Sequence, residues 1–268
     1  MSGVLRDRAV VVTGAGGGLG AAYAKAVADE GAAVVVNDID PALAESVARS
    51  LPRAVADISD ISQWDGAANL IDRCIEEYGR IDGLVNNAGI VRVSPPQDAT
   101  GSGLRRVIEV NLLGTAFCGV LAMRAMANGR GGSIVNVTSG AALGLATTAG
   151  YSASKGGITS LTYSWAAATT TTKVRVNAVS PDADTPLARA LAEHFPDLPV
   201  GVHSPESNAP VVVYLLSDMS NDVNGQVIMT GGDEISSLQR PGIERVVRRP
   251  GGWSVGAVAD YFSAARHR

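Results

Sequence analysis

Ala9-Val10-Val11-Val12-Thr13-Gly14-Ala15-Gly16-Gly17-Gly18-Leu19-Gly20 holds most of what can be read about the architecture of this chain. Its first five residues form an unbroken aliphatic, β-branched run, which predicts a strand buried on both faces. Thr13 then leads a G-x-x-x-G-x-G pattern formed by Gly14, Gly18 and Gly20. Glycines there let the backbone turn tightly and approach a pyrophosphate, and they open a helix whose N-terminus favours negative charge. A strand, a glycine turn and a helix in that order predict the seat of a dinucleotide.

The same alternation continues downstream. Short β-branched runs predict strands at Ala9–Thr13, Ala33–Asn37, Arg53–Ala56, Gly83–Asn86, Ser133–Thr138, Arg175–Val179 and Gln226–Thr230. Amphipathic or alanine-rich stretches predict helices at Gly18–Glu30, Pro41–Ser50, Ile61–Tyr78, Gly103–Ala127, Tyr151–Thr170 and Glu206–Ser217. Continuous apolar strands separated by helices belong to a parallel sheet covered on both faces. Right-handed crossovers make that an α/β, Rossmann-type doubly wound sheet of about seven strands. One domain over 1–232 is expected, followed by a C-terminal extension over 233–268.

Composition narrows the function. With 46% hydrophobic residues but only 4% aromatic, the core should be aliphatic. A net charge of −4 argues against a general nucleic-acid binder. Cys74 and Cys118 stand in no metal or redox spacing, and are expected to be reduced thiols in a cytoplasmic protein. His194, His203 and His267 lack ligand spacing, so no metal site is expected. The N-terminal residues lack the apolar stretch of a signal peptide, and no run reads as long enough to span a bilayer.

Asp38 ends the second strand, eighteen residues after Gly20. A carboxylate there can accept from both adenosine ribose hydroxyls and repels a 2′-phosphate, and Ile39–Ser46 supplies no Lys or Arg to compensate, so NAD is expected over NADP. Asp57 ends the third strand and could bond the adenine amino group. Asn86-Asn87-Ala88-Gly89 follows the fourth strand with side chains small enough for cofactor approach. Asn111 lies within an apolar helical stretch; a buried amide needs partners, either core groups or a held water. Ser139 follows the fifth strand at its carboxyl edge, where open α/β sheets place ligands. Tyr151 and Lys155 are four residues apart, about one helical turn, so phenol and ammonium project from one face. A phenol with an ordinary pKa of about 10 is a poor base near neutrality. A neighbouring ammonium and an oxidised nicotinamide would lower that value. These groups point to an oxidoreductase that exchanges a proton with an alcohol or a carbonyl.

Taken together, TGAGGGLG at 13–20, NNAG at 86–89, Asn111, Ser139, YSASK at 151–155 and VRVNAVSP at 174–181 resemble the short-chain dehydrogenase/reductase family over nearly the whole chain. The resemblance implies a catalytic tetrad of Ser139, Tyr151, Lys155 and Asn111, the last acting through a water relay. It implies cofactor contacts at Gly14, Gly18, Leu19, Gly20, Asp38, Asp57, Ile58, Asn87, Ala88, Gly89, Tyr151, Lys155, Pro181 and Thr185. Lys155 would meet the nicotinamide ribose, and Thr185 the carboxamide. A homotetramer or dimer packed through the helices beginning near Gly103 and Tyr151 is also implied. Two departures stand out. The family usually places its serine thirteen residues before its tyrosine, whereas Ser139 is twelve before Tyr151; Thr138 occupies the alternative position. The family's Pro-Gly after the sixth strand is Pro181-Asp182 here.

Leu187–Phe195 is expected to form a lid, and with Ala141, Ala142, Leu143 and Leu145 an apolar substrate pocket. The tail resembles the (3R)-hydroxyacyl-CoA dehydrogenase unit of peroxisomal multifunctional enzymes, which implies an acyl-CoA or steroid alcohol as substrate. Arg240, Arg245, Arg248 and Arg249 could meet CoA phosphates. Alternatively, the tail is a strap docking on a neighbouring subunit through Trp253, Tyr261 and Phe262. The rival functions are an NADPH-dependent 3-oxoacyl carrier-protein reductase and a non-catalytic NAD-binding subunit.

Overall fold

The computed structural model describes residues 3–195, 202–242 and 246–265. Its eight strands form one sheet in the order β3-β2-β1-β4-β5-β6-β7-β8. Strands β1 (Ala9–Thr13), β2 (Ala33–Asn37), β3 (Ala54–Asp57), β4 (Gly83–Asn86), β5 (Gly132–Val137), β6 (Val174–Pro181) and β7 (Val227–Gly231) are mutually parallel. Strand β8 (Glu234–Ser237) returns antiparallel against β7, and sequence periodicity did not predict it.

Strand periodicity divides the core into two layers. Val10, Val12, Val34 and Val36 face one side with Tyr23, Val27 and Leu215, while Val11, Val35 and Ile134 face the other with Leu70, Cys118 and Met126. Both faces are apolar because helices cover both. On the first side lie α1 (Gly18–Asp29), α2 (Pro41–Ser50) and α8 (Ala209–Leu216). On the second lie α3 (Trp64–Tyr78), α5 (Gly114–Ala127) and α6 (Ala149–Ala168).

The long helix expected from Gly103 begins at Gly101, because the Thr100 hydroxyl accepts from Gly103 N at 3.1 Å and caps it. It is interrupted between α4 (Gly101–Val107) and α5 by a π-helical turn over Ile108–Leu113. Counted as one, Gly101–Ala127 spans 27 residues and by length and composition is apolar enough to cross a bilayer. That corrects the expectation of no such run. Here Cys118, Ala122 and Met126 from this helix pack into the second core layer.

Parallel order reverses between β1 and β4, so the connections leaving their carboxyl ends diverge and leave a crevice. The remaining helices are α7 (Pro186–Ala192), after β6, and α9 (Val255–Ala265). The chain divides into two compact units, Met1–Leu238 and Gln239–Arg268. In the second, Tyr261 contacts both Trp253 and Phe262 edge-on, with ring centres 5.8 and 5.1 Å apart. Of the four tail arginines, Arg245 lies outside the described residues.

Candidate active site

At the carboxyl edge of the sheet a cavity of about 470 Å³ opens beside the glycine turn. Gly14 and Gly18 have φ of +61° and +53°, a left-handed conformation that glycine adopts without strain. A Cβ on Gly20 would stand 2.1 Å from Gly14 O. Gly17 faces open space, and α1 starts beside it with no side-chain cap on its first turn. The uncapped amides, the room above Gly17 and the positive end of α1 suit a diphosphate.

The turn is latched from beneath. The Thr13 hydroxyl accepts from the backbone amides of Asn87 and Ala88 at 3.0 and 3.1 Å. The Asn87 side chain donates to Thr13 O and Gly14 O, each at 3.0 Å. Asn87 was expected as a cofactor contact; its amide also braces the glycine turn, while Asn87, Ala88 and Gly89 line the cavity. Thr13's hydroxyl role was missed, since a threonine ending a strand carries no signal by itself.

Asp38 lines the cavity, with Oδ2 accepting from Gly16 N at 2.9 Å and Oδ1 from Asp40 N at 3.1 Å. Asp57 and Ile58 are not among the lining residues. Asp57 Oδ1 accepts from Asn37 Nδ2 at 2.8 Å and Ser59 N at 3.0 Å, which shapes the loop that brings Ser59, Asp60 and Ile61 to the wall. Arg106, also on that wall and also missed, donates to Ser62 Oγ at 3.1 Å.

Tyr151 and Lys155 both lie in the first two turns of α6, buried, and both line the cavity. Lys155 Nζ donates to Val137 O at 2.7 Å and sits 5.7 Å from the centre of the Tyr151 ring. The Ser139 side chain hydrogen-bonds the phenol, and its Oγ also accepts from Ala141 N at 3.2 Å. Thr138 is turned away: its hydroxyl donates to Lys155 O at 2.9 Å and lies 2.9 Å from the Thr159 hydroxyl. The serine, with its shorter spacing, is the hydroxyl at the phenol. In the loop between Ser139 and Tyr151, Thr147 has φ +56°, a strained conformation for a β-branched side chain.

Burial pushes the Tyr151 phenol above its usual range, only partly opposed by Ser139, and burial pulls Lys155 down to about 8. The expected lowering of the phenol by Lys155 is absent here. Desolvation dominates at both groups, and the lysine is itself discouraged from holding its proton. Near neutrality the phenol is therefore a proton donor.

Asn111 lies in the π-helical turn, fully buried. Its Oδ1 accepts from Ile90 N at 2.8 Å, and its Nδ2 donates to Ile90 O at 2.9 Å and Ser154 Oγ at 3.0 Å. Both amide protons are thus used, and the side chain clamps the loop after β4 to α6 rather than offering a donor to water. Ser154, missed in the sequence, passes the clamp on to Tyr151 O at 2.7 Å.

Pro181, Asp182, Ala183 and Thr185 close the far wall. Asp182 keeps an ordinary negative φ, so a Cβ is accommodated where the family has glycine. Its carboxylate lies 3.7 Å from His203 Nε2. A Cβ on Gly18 would stand 3.5 Å from Thr185 Cγ2, and the Thr185 hydroxyl caps α7 by accepting from Ala188 N. Leu187 and Leu191 of α7 line the cavity, whereas Leu143 is 69% exposed. Around Tyr151 an apolar group gathers Ile90, Val91, Leu145 and Leu187.

A model of short chain dehydrogenases matches residues 8–194. The chain belongs to the short-chain dehydrogenase family. It is therefore an NAD(P)-dependent oxidoreductase acting on CH–OH groups, which removes the non-catalytic alternative. Among curated members of the family, it is 40% identical to the cis-4-hydroxycyclohexanecarboxylate dehydrogenase of Sinomonas cyclohexanicum, covering 87% of this chain and 98% of that protein. It is 33% identical to the L-fucose dehydrogenase of Bos taurus, over 88% of this chain and 92% of that one. It is 35% identical to the 3-oxoacyl-[acyl-carrier-protein] reductase FabG of Thermotoga maritima, over 85% and 98%. A crystal structure of a short chain dehydrogenase from Mycobacterium avium superposes with a TM-score of 0.87 at 32% identity, covering 99% of this chain and 96% of that one.

Proposed function

We propose that this dehydrogenase uses NAD to interconvert a secondary alcohol and a ketone carried on a compact apolar frame, with alicyclic alcohols first among candidates. The observation that carries this is the Tyr151 phenol, hydrogen-bonded by Ser139 and set among Ile90, Val91, Leu145 and Leu187. An oxygen entering there would meet the phenol and the serine hydroxyl, while its carbon frame would lie on aliphatic side chains. Gly14, Gly17, Gly18 and the start of α1 would hold the coenzyme diphosphate, and Asp38 the adenosine ribose. When bound, the nicotinamide supplies or accepts the hydride. Ser139 steadies the substrate oxygen, Tyr151 delivers or removes its proton, and Lys155 tunes the phenol. Any water relay would then run through backbone at the Asn111 turn, since that amide is occupied. Membership of the family favours self-association, with α5 and α6 as the proposed contact of a dimer or tetramer.

The ring-shaped substrate is favoured by the likeness to the Sinomonas protein. An acyl-CoA substrate is a second reading, with Arg240, Arg248 and Arg249 as its candidate phosphate contacts. The carrier-protein reductase reading is favoured by the Thermotoga relative and implies NADPH.

Steady-state assays with NAD+ and NADP+ against cis-4-hydroxycyclohexanecarboxylate, L-fucose and 3-hydroxybutyryl-CoA separate these readings. The expected result is kcat/KM at least about tenfold higher with NAD+, and highest for the alicyclic alcohol. Equal efficiency with NADP+ would defeat the role given to Asp38. A preference for the sugar would defeat the apolar pocket, and a preference for the thioester with NADP+ would favour the reductase reading.

A further inference from the structure

At the opposite edge of the sheet, where β1, β4, β5 and β6 begin, lies a second cavity of about 660 Å³. The segments entering those strands bring Arg6, Arg8, Arg80, Arg130, Lys173 and Arg175 to its wall, against the carboxylates of Asp7, Asp82 and Asp218. This positive excess stands out on a chain whose net charge is −4.

The carboxylates are largely committed. Asp218 pairs with Arg8 at 2.6 Å, and Asp82, buried, holds Arg80 while accepting from Ala9 N at 2.9 Å. Arg175 makes no ion pair among the described residues and donates to Leu215 O, Ser220 Oγ and Ser217 O at 2.8–3.0 Å. Burial, and then the like charge of Arg8, hold that guanidinium below its usual range. Arg6, Arg130 and Lys173 make no ion pair among the described residues. Finally, Arg80 Nε is buried with no hydrogen-bond acceptor, although a buried donor without a partner is costly.

We propose that this cleft is a second anion site, separate from the coenzyme crevice, that takes a compact polyphosphate whose charge is matched by Arg6, Arg130 and Lys173. Forked guanidinium donors suit phosphate oxygens, and a concave, partly buried site is screened by salt less than a flat patch. The small extent of the cleft favours a compact, multiply charged ligand over an extended nucleic acid.

The test is calorimetric titration of the full-length protein with inorganic tripolyphosphate in about 0.15 M salt, the coenzyme crevice being kept filled with NAD+. Saturable one-to-one binding is expected, with sulfate at least about tenfold weaker. In the double variant Arg130→Ala/Lys173→Ala, both positions being exposed, binding should weaken at least about tenfold while NAD+ affinity and turnover stay unchanged. Arg80→Met, which removes a positive charge from the wall and leaves Asp82 unpaired there, should weaken it further. Absence of binding, equal affinity for sulfate, or undiminished binding in the double variant would each overturn the assignment.

Discussion

Tyr151 and Lys155 show how burial sets the protonation of a reactive pair. Lys155 is held at about 8 by desolvation, against 10.5 for an exposed lysine. Its folded-state value is depressed, so the cost to folding is full below pH 8 and vanishes as pH rises towards 10.5. That cost is about 3 kcal/mol, offset by about 1 kcal/mol from the hydrogen bond to Val137 O. Lys155→Met should therefore raise the unfolding free energy of the coenzyme-free protein by about 2 kcal/mol at pH 7 and turn slightly destabilising near pH 10.5. Denaturant melts at both pH values check the change of sign; a variant less stable at pH 7 contradicts it. The same substitution should cost turnover, as should Tyr151→Phe, which is expected to lower kcat by about 10³ or more while NADH fluorescence titrations change little. Tyr151 and Lys155 were legible in the sequence because their spacing is a helical turn. The fate of the Asn111 amide was not. Its partners, Ile90 and Ser154, lie 21 and 43 residues away, and only the fold brings them together.

Among the elements, the parallel strands announce themselves and the irregular ones do not. The runs at β1, β2 and β4 read correctly to the residue, because a strand buried on both faces must be aliphatic throughout. Strand β8 escaped notice since all four of its residues are exposed, leaving no apolar pattern to detect. The π-helical turn was hidden because Ile108–Leu113 carries an ordinary helical composition. The expected helix Glu206–Ser217 instead opens with a 3₁₀ turn over Pro205–Asn208, and α8 follows with Pro210 in its first turn. The loop between Ser139 and Tyr151 holds the testable strain. Thr147→Gly should relieve about 1–3 kcal/mol of backbone strain and lose about 1 kcal/mol to glycine's unfolded freedom, for a net gain of about 1 kcal/mol. Thermal unfolding measures it, and a variant that melts lower removes the case for strain at this corner. The backbone bond from Ser94 N to Thr147 O at 2.7 Å survives the change, and only the exposed bond from the Thr147 hydroxyl to Ala146 O is lost.

For the molecule as a whole, the two buried thiols set an alkaline limit. Cys74 and Cys118 are both pushed up to about 12 by burial, from an ordinary 9.0. Raised folded values mean that their contribution is intact below pH 9 and is lost as pH climbs towards 12, while the unfolded chain sheds protons the folded one retains. Each thiol removes about 1.4 kcal/mol per pH unit across that window. Cys74→Ala/Cys118→Ala should accordingly show a shallower fall in stability between pH 9 and 11, whatever its stability at pH 7; identical slopes would exclude the thiols as the cause. The latch formed by Thr13 and Asn87 reaches further than the turn it braces. A floor already rigid before its guest arrives leaves little loop ordering to be done at association. On the proposed reading, NAD+ should therefore associate in a single fast phase with no slower ordering step behind it, which stopped-flow fluorescence would show.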